Sequence, residues 1–128
     1  MAKNRTFHTI IVSDADPLFV ALVAQQLLRA GMMVMADLHS EILDLARRVE
    51  PSLVILGDGR IDSRDLLSRL KKDPLTKAIP IVVASTITDE STRDLCLQLG
   101  AVDYCSRSVN SQLIEKVLTH LAFSKTRE

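Results

Sequence analysis

Five short apolar runs recur along the chain: TIIV at 9 to 12, MMVMA at 32 to 36, LVIL at 53 to 56, IVVAS at 81 to 85 and AVDYC at 101 to 105. Between them lie stretches with helical periodicity. A strand and helix rhythm of this kind belongs to a parallel sheet covered by helices on both faces. The punctuation agrees. Asp16 and Pro17 form a helix cap and first helical residue, and Gly31 ends that helix. Gly100 closes the segment DESTRDLCLQL, and a last helix is expected from about Ser111 to Ser124. The 128 residues suit one domain spanning 1–128, its core running from about residue 9 to 121, because neither a repeat nor a low-complexity linker divides them. The expectation is a five-stranded, doubly wound α/β sheet with right-handed crossovers.

Composition excludes several function classes. Sixteen basic and sixteen acidic residues leave no net charge, so no long-range field draws the chain to nucleic acid or to an anionic membrane. No apolar run is long enough to span a bilayer, and MAKNRTFHT lacks the apolar centre of a signal peptide. The protein is therefore expected to be soluble and cytoplasmic, with no direct nucleic-acid or membrane partner. Cys96 and Cys105 have no CxxC spacing and read as reduced core residues. His8, His39 and His120 are scattered and read as surface or edge residues, and Met32, Met33 and Met35 as core filler in a strand.

In doubly wound folds ligands and chemistry gather at the carboxyl ends of the strands. Here those ends read SDAD, GDG, ST and CSRS after strands one, three, four and five. The first of these loops has no glycine, which argues against a cradle for a dinucleotide or flavin phosphate. The third strand poses the sharpest question, since PSLVILGDGR carries four apolar residues straight into Gly-Asp-Gly.

The segments IIVSDADP, EPSLVILGD, LKKDPLTKAIPIVVAST and LGAVDYCSRS, in this order and spacing, resemble the receiver domains of two-component response regulators from about Thr9 to Leu121. The resemblance implies a flavodoxin-like sheet of order 2-1-3-4-5. It also implies an aspartate at the end of strand three that accepts a phosphoryl group, and acidic residues after strand one that hold Mg2+. A hydroxyl after strand four and a lysine after strand five would then bind the phosphoryl oxygens. The present sequence departs from that pattern. Gly57 stands at the acceptor position, six residues on from Pro51, and Ala15 replaces the second acidic residue, between Asp14 and Asp16. Arg107 replaces the lysine, Ser108 the following proline, and the loop after strand three is about two residues short. Ser85 keeps the hydroxyl, with Thr86 after it, and Tyr104 keeps the aromatic residue that in the family changes orientation on activation.

These departures fit one reading. At most two carboxylates, Asp14 and Asp16, face one guanidinium, and Arg107 could bridge to Asp14 and fill the site without metal. Asp14, Ala15, Asp16, Gly57, Ser85 and Arg107 would then be a vestigial phosphorylation site with no catalytic residue, no cofactor and no enzymatic activity. Plainer roles are also open: Asp16 and Asp14 as caps of the first helix, Asp58 and Asp62 as turn residues with Asp62 or Ser63 capping the third helix, and Ser85 bonded only to local backbone.

Helical spacing then suggests an interaction face. Leu113, Ile114, Val117, Leu118, Leu121 and Ala122 form the apolar half of the last helix, with Phe123 opposite. Leu97 lies away from the Leu95, Cys96 and Leu99 stripe. With Tyr104, Leu97 and Phe123 would line the face of helix four, strand five and helix five, which the resemblance implies binds a protein partner or a second copy. The expected function is a phosphorylation-independent signalling module acting through protein contacts. The alternative is an atypical active receiver phosphorylated on Asp58, with Mg2+ held by Asp14, Asp16 and Asp58. An unrelated small enzyme on this architecture lacks any nucleophile or phosphate-loop constellation to support it.

Overall fold

The computed structural model describes residues 8–107 and 111–126, with side chains in the last helix described from 112 to 121. Strands and helices alternate as β1 (Thr9–Ser13), α1 (Pro17–Arg29), β2 (Met33–Asp37), α2 (Ile42–Val49), β3 (Leu53–Leu56), α3 (Ser63–Lys72), β4 (Ile81–Ser85), α4 (Glu90–Gln98), β5 (Asp103–Ser106) and α5 (Ser111–Thr126). The five strands form one parallel sheet in the order β2-β1-β3-β4-β5. This is the flavodoxin-like order implied by the sequence resemblance. β5 starts two residues later than the apolar run beginning at Ala101, and α5 extends to Thr126.

Alternation along the strands sends side chains into two layers. Ile10, Val12, Leu53, Ile55, Val82 and Ala84 pack with α1 and α5. Ile11, Val54, Leu56, Ile81 and Val83 pack with α2, α3 and α4. The central strands β1, β3 and β4 are covered on both sides, hence their unbroken apolar runs. The Asp16 carboxylate accepts from the Leu18 N–H at 3.0 Å with Pro17 in the first helical turn, so α1 begins where the cap demands. Asp62 caps α3 in the same way, accepting from the Arg64 N–H at 2.8 Å. At the far end of α1, Gly31 takes φ +90°, a backbone state that side chains disfavour.

Several expectations about individual side chains fail. Met33 is 53% exposed and Met35 is also exposed, whereas Met32 packs against the core. β2 is an edge strand of lower burial than its neighbour β1, and α2 is only eight residues long. Leu95 and Leu118 are exposed too, each about 100° around its helix from a buried neighbour, Cys96 and Val117. Tyr104 does not line the outer face. It is 7% exposed, aligned with Val83 in the α2–α4 layer, because the β5 alternation points it inward. Leu97 is 39% exposed, no more than Leu95. Ser108 and the side chains of Ala122 and Phe123 lie outside the described residues. Among the described residues, no helix is long and apolar enough to cross a membrane.

Burial on the central strand sets a measurable contrast. Ile55→Ala, at a fully buried position, should lower unfolding free energy by about 2–5 kcal/mol in urea titrations. Leu18→Ala, at a position 66% exposed, should change it by less than about 0.5 kcal/mol.

Candidate functional site

The carboxyl ends of β1, β3, β4 and β5 bring Asp14, Asp16, Gly57, Asp58, Ser85, Thr86 and Arg107 together. Parallel pairing does the placing: Ser13 is level with Leu56 and Ser85 with Ser106, so the residues that follow each strand share one edge of the sheet. Backbone bonds close the loops on each other. The Gly57 N–H donates to the Ser13 carbonyl at 2.7 Å, and the Ala15 N–H donates to the Asp58 carbonyl at 2.8 Å.

Asp14 is the buried centre, its side chain 1% exposed. Arg107 donates to it through both arms of its fork, Nε to Oδ2 at 2.8 Å and Nη2 to Oδ1 at 3.0 Å. The Asp16 N–H donates to Oδ1 at 2.8 Å and the Asp58 N–H to Oδ2 at 2.9 Å. Each carboxylate oxygen thus accepts two hydrogen bonds, which is what a buried charge needs. Arg107 also donates from Nη2 to Asp16 Oδ2 at 2.9 Å, and its guanidinium carbon stands 4.7 Å from the centroid of the Phe19 ring. Hydrogen bonds to Asp14 raise the Arg107 pKa further above its already high value, against the cost of burial. The hydrogen bond from Arg107 likewise holds Asp16 below its ordinary value of 3.8.

The same arrangement explains the glycine after β3. A Cβ built on Gly57 would lie 2.1 Å from Asp14 Oδ2 and 2.9 Å from its Cγ, so no side chain fits at 57 while Asp14 holds Arg107. The position lacks the nucleophile of a phosphoacceptor, and its missing Cβ is also the space that Asp14 occupies.

Asp58 is neither a plain turn residue nor clear of the guanidinium. Its Oδ1 accepts from Ser85 Oγ at 2.9 Å, and its Oδ2 accepts from the Thr86 N–H and Thr86 Oγ1, both at 3.1 Å. Arg107 Nε lies 3.9 Å from Asp58 Oδ2. Three carboxylates therefore surround Arg107, where the sequence suggested two at most. Ser85 does bond to local backbone, accepting from the Ile87 N–H at 3.0 Å, in addition to its bond with Asp58. Tyr104 donates its phenol proton to the Ile87 carbonyl. Burial holds the Tyr104 phenol above its ordinary pKa.

Sequence reasoning missed two partners. Phe19 sits one turn into α1 from the Asp16 cap, and an aromatic residue there beside a cationic strand-five loop was the available signal. Ile87 acts through its backbone carbonyl, for which no side-chain pattern exists. Two of the histidines pair elsewhere: His120 with Asp103 at 3.2 Å, and His8 with the Ser52 hydroxyl at 3.1 Å. Cys96 and Cys105 are buried free thiols, and burial pushes Cys105 up to about 11.

Solved structures that superpose on this chain include response regulators and their receiver domains. A protein assigned as a response regulator in Chloroflexus aurantiacus superposes with a TM-score of 0.82 at 26% identity, over 91% of this chain and 99% of that one. A response regulator from Burkholderia pseudomallei, crystallised with a phosphorylated aspartic acid, calcium ion and citrate, shares the fold with a TM-score of 0.77 at 21% identity, over 94% of this chain and 72% of that one. In sequence, a protein-glutamate methylesterase/protein-glutamine glutaminase 1 of Methanosarcina mazei is 26% identical over 86% of this chain and 32% of its own length. No family model matches. The architecture is that of a signal receiver. The chain has the fold of response-regulator receiver domains, and it spans 31–32% of the length of the curated relatives it matches.

The packing around Asp14 makes two substitutions informative. Gly57→Ala should cost about 1–3 kcal/mol or more, and the loss should shrink when Asp14→Ala is added, a non-additivity that a double-mutant cycle in urea would read. Arg107→Ala should cost about 3–5 kcal/mol, because it leaves a buried carboxylate without its cation. The pH profile carries a second signature. The folded pKa of Asp16 is depressed, so its contribution is present above 3.8 and is lost as pH falls through the folded value. Asp16→Ala should therefore flatten the acid limb of thermal stability below about pH 4.

Proposed function

We propose that this receiver signals without phosphorylation, as a protein-interaction module of a two-component or phosphorelay system in the cytoplasm. The observation that carries the reading is the fork of Arg107 on Asp14, with the Asp14 carboxylate occupying the space of a Cβ at position 57. A phosphoacceptor side chain at 57 and the Arg107–Asp14 bridge exclude each other on steric grounds.

The residues present do not fit a divalent cation. Both oxygens of Asp14 are taken by Arg107 and by two backbone N–H groups, Asp16 Oδ2 is taken by Arg107, and Ala15 contributes no ligand. A fixed guanidinium supplies the positive charge that a metal would otherwise bring, so no Mg2+ and no catalytic step are assigned to this domain. The Burkholderia pseudomallei relative, with its phosphorylated aspartic acid and calcium ion, marks the contrast. With chemistry absent from the strand edge, function falls to surfaces. The face of α4, β5 and α5, on which Leu97 is exposed, is the proposed site for a protein partner or a second copy, with Phe123 assigned to it from sequence alone.

Intact mass after incubation with acetyl phosphate, with and without Mg2+, tests the reading. The wild-type chain and Asp58→Asn should both keep their unmodified mass. A Mg2+-dependent phosphoryl adduct on the wild type that disappears in Asp58→Asn would overturn the proposal and make Asp58 the acceptor of a working switch.

A further inference from the structure

We infer that the Asp58 carboxylate is a built-in clamp that fixes the β4–α4 loop and holds Tyr104 inward with no added group. The inference rests on the phosphorylation-independent reading and adds the device that sets the shape of the receiver in that state.

The geometry is a continuous chain of hydrogen bonds across three strand ends. Asp58, after β3, accepts from the Ser85 hydroxyl and from both the N–H and the hydroxyl of Thr86. The Ser85 oxygen, its proton committed to Asp58, turns its lone pair to the Ile87 N–H at 3.0 Å. Held at its N–H, Ile87 presents its carbonyl to the Tyr104 hydroxyl on β5. Carboxylate and carbonyl oxygens only accept and a backbone N–H only donates, so the Ser85 hydroxyl, which gives one bond and takes another, is what joins Asp58 to Ile87. Were the carboxylate absent, Ser85 Oγ would be free to turn its proton elsewhere, and Thr86 would lose its acceptor for two donors.

The loop depends on this chain because it has little else to hold it. Residues 86–88 are exposed, and Ile87, half exposed at 50%, projects its side chain outward while its backbone is bonded on both sides. α4 begins only at the Asp89 cap, so the loop is the hinge on which that helix sits. Asp58 is itself secured from behind, its N–H donating to Asp14 and its carbonyl accepting from Ala15. The Arg107–Asp14 pair therefore anchors the clamp, and Arg107 Nε, 3.9 Å from Asp58 Oδ2, adds attraction. Asp58 is a positioning residue in this account, acting on Tyr104 through Ser85 and Ile87.

The chain carries its own probe, since Tyr104 is its one tyrosine and it has no tryptophan. Tyrosine fluorescence quenched by acrylamide, a neutral quencher indifferent to the charge removed, reads the exposure of this ring alone. Asp58→Ala and Ser85→Ala should each raise the quenching constant about twofold or more as the loop opens locally. Asp58→Asn, which keeps the shape and one acceptor oxygen, should give a smaller rise and serves if the alanine variant does not fold, as judged by far-ultraviolet circular dichroism. Asp62→Ala, which removes an equal charge at the α3 cap outside the chain, should leave quenching at the wild-type value. Unchanged quenching in folded Asp58 and Ser85 variants would overturn the clamp, as would an equal rise in Asp62→Ala. Intact mass of the same samples after acetyl phosphate and Mg2+ separates the two ideas: a wild-type adduct overturns the phosphorylation-independent reading, whereas unaltered quenching without an adduct overturns the clamp alone.

Discussion

The strand edge of this receiver is organised around one buried ion pair, Arg107 on Asp14. A carboxylate out of reach of water is tolerable only with its charge matched and its lone pairs filled, and here two guanidinium N–H groups and two backbone N–H groups do both. The neighbouring features follow from that requirement. The loops after β1 and β3 fold onto the carboxylate because their N–H groups are its donors. Gly57 follows because the carboxylate fills the volume of a side chain there. Phe19 presents its ring face to the guanidinium, which offsets part of the cost of taking that cation out of water.

Arginine suits this place for reasons that lysine would not meet. Its planar fork matches a carboxylate edge to edge, it stacks on an aromatic ring, and it stays charged at every accessible pH. An ammonium is a point charge that would engage one oxygen and leave the second underbonded. The replacement of lysine by arginine, the replacement of the second acidic residue by Ala15 and the glycine at 57 are therefore parts of one arrangement. Each is compatible with the others.

Away from the pair, order passes along hydrogen bonds to a face of the molecule. Asp58 links the β3 end to the β4–α4 loop, and Tyr104 closes the chain from β5. Packing explains why the tyrosine lies inside: the alternation of β5 sets it level with Val83 over the α2–α4 layer. On the opposite edge lies β2, on which Met33 and Met35 are exposed.

Much of the fold was legible in the chain. The apolar runs of β1, β3 and β4 marked strands buried on both faces, and Asp16-Pro17 and Gly31 mark helix ends by local backbone chemistry alone. The loss of the acceptor at Gly57, the break at Ala15 and the capacity of Arg107 to reach Asp14 were also visible, since residue type at a strand end limits chemistry directly. Distance and direction were not. That Asp58 binds Ser85 and Thr86, that Phe19 lies beneath Arg107 and that Tyr104 points inward depend on how four strand ends, up to 93 residues apart in sequence, are brought level by parallel pairing. Periodicity likewise located the helices but misjudged Leu95, Leu118, Met33 and Met35, whose exposure depends on how far a neighbouring element extends. The sequence by itself determined a doubly wound receiver-like sheet with glycine at 57; only the tertiary structure decided that the space of a side chain there is filled by Asp14, because steric exclusion is a property of neighbours in space.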